Sequence, residues 1–165
     1  PEVAYLDPPF TLAGLLGGEA TGVDDHPHGD IRAGETWLNG VYRAVTSSPA
    51  WPRTLLVVTF DEWGGFYDHV APATAPDAGG RRQRRGFRVP ALLISPRARR
   101  GHVDHGVYDH TSILRLIEWR WGLRPLAPRD AAARNLALAL DLASPADPAA
   151  PAFRVPVVKA GKSCS

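Results

Sequence analysis

The sequence predicts an α/β fold, and three observations carry that prediction. Two uncharged aliphatic runs, TLLVVTF at 54–60 and VPALLIS at 89–95, have the composition of buried strands. Segments with apolar residues three and four apart lie before the first and after the second, as amphipathic helices require. The 165 residues are 44% hydrophobic and 22% charged, a balance that builds one domain's apolar core. Lys and Arg number 19 against 17 for Asp and Glu, a net charge of +2, too small an excess to argue for a nucleic-acid partner. No stretch reaches the ~20 apolar residues that span a bilayer, and no signal peptide is visible. The single cysteine, Cys164, excludes a disulfide framework and a Cys-rich zinc module.

Taken in order, residues 1–29 mix Pro, Gly and Asp with short apolar pieces such as TLAGLLGG and read as loop. Asp30 then caps a helix whose face carries Trp37, Leu38, Val41, Tyr42 and Val45, and Ser47, Ser48 and Pro49 end it. The run 54–60 reads as a strand buried on both faces, as in a parallel sheet covered by helices. In the second strand, 89–95, Pro90 removes a donor only at the strand's mouth. A glycine- and arginine-rich connection joins the two. Asp109 or Thr111 caps a further helix through Ile113, Leu114, Leu116, Ile117 and Trp121, which Gly122 and Pro125 stop. A last helix is expected over 130–142. A Pro/Ala-rich tail occupies 143–165, in which VPVV is at most one short strand.

The junction after the first strand carries the chemistry. Asp61 and Glu62 follow the run directly, and in open α/β sheets the carboxyl end of a buried strand is where ligands are held. Two adjacent carboxylates repel unless a proton or cation intervenes, and a divalent metal resolves that repulsion. The competing account is a pair of acids opening a solvated loop or capping a turn. Gly64-Gly65 and the aromatics Trp63, Phe66 and Tyr67 favour the metal, because glycine supplies positive φ or close approach.

All six histidines lie between 26 and 110. His26 stands out in DDHPHGD, where a neighbouring carboxylate can orient its ring for general acid work or phosphate contact; His28 is the alternative. His110 in YDHTS sits at a helix start, where amides favour anions, but a capping-region histidine explains it equally well. His102 and His105 match no standard zinc spacing and read as loop residues. RRQRR at 81–85 reads as a solvated loop ahead of an anionic-surface contact. There is no Walker-type phosphate cradle and no G-x-S-x-G elbow.

The combination DDHPHGDIRAGE, Trp51 with TLLVVTF, DEWGGFYDHV, RVPALLISP and YDHTSILRLIEWRWGL resembles the bacterial and plant phosphoesterase family that includes non-haemolytic phospholipase C and a related acid phosphatase, from Asp24 to Leu142. The resemblance implies part of an alkaline-phosphatase-like sandwich, a mixed, mainly parallel sheet between helices. It implies cleavage of phospholipid or smaller phosphate esters by a metal-assisted hydroxyl nucleophile through a phosphoryl-enzyme intermediate. Asp61 and Glu62 fall on the family's acidic ligands of one divalent metal ion of unknown identity, and His26 on the histidine that approaches the substrate phosphate. A secreted or periplasmic location is implied in the same way.

The family's Glu-Asn pair and its Ser or Thr nucleophile segment have no match here. The resemblance therefore implies that residues 1–165 are the C-terminal portion of a single catalytic domain, inactive by themselves. Three alternatives stand beside phospholipase C-like hydrolysis: a non-catalytic fragment or binding module, an acid phosphatase acting on monoesters, and transient membrane-surface contact through Arg81 to Arg85.

Overall fold

A computed structural model describes residues 1–10, 22–27 and 29–155. The chain divides into two compact units, Pro1–Trp51 with Ala149–Ser165, and Pro52–Pro148. TLAGLLGG, His28, most of VPVV and Cys164 lie outside the described residues.

The first unit is organised on helix α1, Ile31–Thr46. Asp30 caps it as its sequence position predicts: the carboxylate accepts from Arg32 N at 3.0 Å and the carbonyl from Ala33 N at 2.8 Å. Of the expected apolar face Tyr42 is buried, and Trp37, Leu38, Val41 and Val45 are half-buried. The Tyr42 hydroxyl donates to the Pro151 carbonyl at 2.7 Å, and its ring meets Phe153 edge-on at 5.3 Å. Part of the Pro/Ala-rich tail is thus docked on the helix. Ser47 closes the last turn, its hydroxyl donating to the Arg43 carbonyl at 2.7 Å.

In the second unit, β1 (Leu56–Thr59) pairs antiparallel with β4 (Ala91–Ile94), Leu56 opposite Ile94 and Thr59 opposite Ala91. Between them β2 (Thr74–Pro76) and β3 (Arg82–Arg84) form a second antiparallel pair, reversed through a 3₁₀ turn, Ala78–Gly80, in which Gly79 and Gly80 take positive φ. Both aliphatic runs are therefore strands, and Pro90 does stand just outside the ladder.

The expected parallel pairing does not hold for them. A parallel crossover needs a helix or similar element to carry the chain back, whereas residues 60–90 hold a hairpin, so the chain returns beside β1 in the opposite direction. Nor is β1 buried on both faces: all four of its residues are half-buried, since it shares a two-stranded sheet among the described residues. The architecture is mixed α/β with small antiparallel sheets.

Helix α2, Thr111–Trp121, is held at its start by Asp109, whose carboxylate accepts from Thr111 N at 2.9 Å and Thr111 Oγ1 at 2.5 Å. It ends at Gly122 in the left-handed conformation, φ +65°, where the Leu123 amide closes onto the Glu118 carbonyl at 2.8 Å. The single helix expected over 130–142 is instead a short helix α3, Pro128–Ala131, and a 3₁₀ turn, Leu136–Ala139. Asn135 makes the break: its side chain accepts from Ala137 N and starts the second element as a cap. Asp130 does not open a helix but sits inside the first turn of α3, buried, accepting from Leu126 N and Ala127 N, each at 2.7 Å. Among the described residues no helix is long and apolar enough to cross a membrane.

Packing of α2 on α3 buries Glu118 against Asp130. Burial first, and then the Asp130 carboxylate, push Glu118 above the usual carboxylate range. Burial also works to raise Asp130, but the Glu118 proton and the Leu126 and Ala127 amides outweigh it and hold Asp130 below its ordinary value. The two buried acids are thus pushed apart in acidity, Glu118 upward and Asp130 downward. A raised folded-state pKa contributes stability at low pH that is lost as pH rises through it, and a lowered one contributes stability that is lost on acidification. Glu118→Gln keeps an N–H donor towards Asp130 without a titrating proton. Thermal unfolding followed upward from pH 4.5 should therefore show wild-type stability declining relative to Glu118→Gln as pH rises; parallel profiles would refute a raised Glu118 pKa.

Candidate functional site

Strand β1 delivers the chain to an exposed tip. Phe60, Asp61 and Glu62 leave the ladder in succession with both acids exposed, and the chain then turns through Gly64 (φ +70°) and Gly65 (φ +80°). A Cβ at Gly65 would meet no atom within 4 Å, so its conformation, and not a close approach, calls for glycine there. The aromatics that follow are not folded inward: Phe66 is 67% and Tyr67 92% exposed. Trp63 rests on Phe87 with ring centroids 5.1 Å apart. With Asp68 and Arg88, Trp63, Phe66 and Tyr67 line an open groove of about 360 Å³.

Asp68 is fixed at the wall of that groove. Arg88 grips it with two nitrogens, Nη2 at 2.7 Å from Oδ1 and Nε at 2.9 Å from Oδ2, and Val70 N donates to Oδ1 at 3.0 Å. The Arg88 side chain, with the Val70 amide, holds the Asp68 carboxyl far below the usual carboxylate range. His69 is turned outward, its Nδ1 3.9 Å from Asp68.

His110 reaches the same strand end. Although it occupies the N-cap position just before α2, it makes no capping bond with its side chain; its Nε2 lies 2.7 Å from the Phe60 carbonyl oxygen, so Nε2–H donates there. Arg85 anchors the neighbouring Asp109 from the hairpin side, Nε to Oδ2 at 2.6 Å, and also donates to the Thr74 carbonyl at 2.9 Å. RRQRR is solvent-exposed as expected over 81–84, but it is not a loop. Its centre is strand β3, in which Arg82, itself exposed, donates to Thr74 of β2, while Arg85 reaches Asp109 just ahead of α2. His102 and His105 are exposed on either side of Asp104, which orders their loop by accepting from Gly106 N at 2.7 Å and the Tyr108 hydroxyl at 3.0 Å.

In the first unit, the loop before α1 holds His26. The Asp24 side chain is 2% exposed and its Oδ2 lies 2.8 Å from His26 Nδ1, which orients the ring and leaves Nε2 outward on a half-exposed side chain. Asp25 adopts φ +59°, rare for any residue but glycine. Its Oδ1 is buried without a hydrogen-bond partner among the described residues, and burial, then the charges of Glu35 and Asp24, raise its pKa. Gly34 of α1 makes room for it: a Cβ there would stand 1.9 Å from Asp25 Oδ1. A strained residue with a buried unpaired oxygen, beside an oriented histidine, is the kind of stored strain that clusters at functional loops.

The match to the Phosphoesterase family model covers residues 1–124, three quarters of the chain. The chain belongs to that family. Phospholipase C B of Mycobacterium tuberculosis is 33% identical over 174 residues, covering 92% of this chain and 31% of that protein. Non-specific phospholipase C6 of Arabidopsis thaliana is 36% identical over 153 residues, covering 79% of this chain and 28% of its own length. The chain thus spans about a third of the length of these curated relatives.

The family match takes in the His26 loop and the Asp61–Glu62 tip. Two oxygen donors at a strand end, with no ion-pair partner among the described residues, suit part of a divalent site. No three acidic, histidine or cysteine side chains converge among the described residues to complete one. Asp25, Gly34, Asp68 with Arg88, and the link from His110 to Phe60 escaped the sequence reading. Only Asp25 had a signal there, as a neighbour of His26.

Two outcomes follow from these contacts. Gly34→Ala forces Asp25 to move and should cost about 1–3 kcal/mol in urea unfolding, with displaced His26 ring resonances; an unperturbed ring would contradict the packing. Asp68, with its pKa lowered from 3.8, contributes stability above that value that is lost only on strong acidification. In carboxyl NMR titrations Arg88→Gln should return the Asp68 midpoint towards 3.8, while an unchanged midpoint would remove the guanidinium as the cause.

Proposed function

We propose that this chain contributes the acidic metal ligands and the phosphate-contacting imidazole of a phospholipase C-type phosphoesterase, which hydrolyses phosphate esters of phospholipids or smaller molecules. The family match over 1–124, spanning both candidate motifs, carries the reading. Asp61 and Glu62 would hold a single divalent ion at the tip of β1, and His26 would meet a phosphate oxygen. A cation held there supplies positive charge to the transferring group and lowers the pKa of a hydroxyl nucleophile.

The chain's own groups divide the remaining work. Asp24 fixes the His26 ring through Nδ1, so that Nε2 of the imidazolium form is left to donate to an oxygen of the ester. With this reading go an alkaline-phosphatase-like sandwich, in which β1 and β4 belong to a larger and mainly parallel sheet, and an exported location.

The test is Asp61→Ala in the protein that carries this chain, assayed on a chromogenic phosphate ester with added divalent metal. Turnover should fall by at least about 100-fold, as when one group stabilising developing charge is removed, with the circular dichroism unchanged. Activity near that of the wild type would overturn the assignment.

A further inference from the structure

Phe60 is the last residue before the carboxylate pair, and its carbonyl lies one position beyond the β1–β4 ladder. The register places Pro90 opposite it, and proline has no N–H to donate. Pro90 faces the ladder only as an acceptor, taking the Thr59 hydroxyl at 3.2 Å. The donor comes instead from fifty residues further along the chain, the His110 Nε2–H at 2.7 Å.

The backbone that carries that imidazole is anchored. Asp109 beside it is tied by Arg85 at 2.6 Å, by the Thr111 amide and hydroxyl, and through its own N–H to Ser112 Oγ at 3.1 Å. Ser112 is 1% exposed, so this start of α2 is anchored in packed structure. The helix start and the strand end are therefore joined at the peptide that precedes Asp61. Asp61 and Glu62, with like charges and no ion-pair partner among the described residues, tend to spread the turn that carries them. A carbonyl fixed on its N-terminal side opposes that spreading.

We propose that His110 is a positioning residue for the Asp61–Glu62 turn, pinning the Phe60 carbonyl so that both carboxylates stay together at the tip of β1. Its importance for metal binding rests on the phosphoesterase reading above; its effect on the backbone does not. The alternative is that His110 only satisfies a carbonyl and serves general stability.

Amide order parameters of Asp61 and Glu62, with Mn²⁺ titrations, separate the two in the wild type, His110→Ala and His110→Gln, all at a temperature where each is folded. Positioning by His110 predicts values near about 0.85 in the wild type and below about 0.6 in His110→Ala, with residues 114–121 unchanged. Gln, which can donate an N–H to the same carbonyl, should restore them. Mn²⁺ affinity should fall about 10- to 100-fold in His110→Ala, as for groups that orient metal ligands, and recover in His110→Gln. Unchanged order at 61 and 62, or a loss shared with 114–121, would overturn the proposal. A rigid wild-type turn that binds no Mn²⁺ would refute the metal reading, while the order parameters still decide the role of His110.

Discussion

The second unit depends on what holds Asp109. Its two carboxylate oxygens face different ways, one to Arg85 at the end of the β2–β3 hairpin and the other to the first turn of α2. Burial works to raise its pKa, but the Thr111 hydroxyl, the guanidinium and the amide together outweigh that effect and keep it below the ordinary range. An ionised carboxylate in that place lets a hairpin, a helix and, through the adjacent His110, a strand end share one fixed point. Hydrogen bonds to a charged group are the stronger kind, roughly 1.5–3 kcal/mol each. A few of them can anchor a region whose sheets have only two strands.

The first unit relies on a different constraint. Around Asp24, Asp25 and His26 the chain accepts a left-handed aspartate and an unpaired buried oxygen, each of which costs free energy. In return the loop is shaped closely against α1 at Gly34, and the His26 ring is held by a buried carboxylate. Favourable helix chemistry at Asp30 and the unfavourable loop geometry just before it lie within a few residues of each other. The Asp30 cap and the Tyr42 contacts with Pro151 and Phe153 stabilise the helix against which that strain is stored.

Much of the secondary structure was legible because it rests on local rules. Asp30, the three-and-four spacing through Val45, and Ser47 define α1 without reference to anything distant. Gly122 ends α2 because its φ of +65° suits glycine, a property visible from the residue type. Both aliphatic runs are strands for the same reason. The misreadings arose where local and distant preferences compete. Residues 130–142 are rich in Ala and Leu and look helical, but Asn135 offers its side chain to Ala137 N and the buried Asp130 caps from within, so the segment breaks in two. Arg81 to Arg85 look like a loop until strand β3 is paired with β2 and Arg85 is placed against Asp109, although 81–84 stay exposed.

By itself the sequence determined the α/β class, the ends of α1 and α2, the two aliphatic strands and the motifs that mark the family, since these depend on residues close together along the chain. The tertiary structure alone decided that the strands run antiparallel, that Glu118 lies against Asp130, that Gly34 receives Asp25 and that His110 meets Phe60. Each of these joins groups from separate elements, and their distances follow from how the chain packs, which no local spacing encodes.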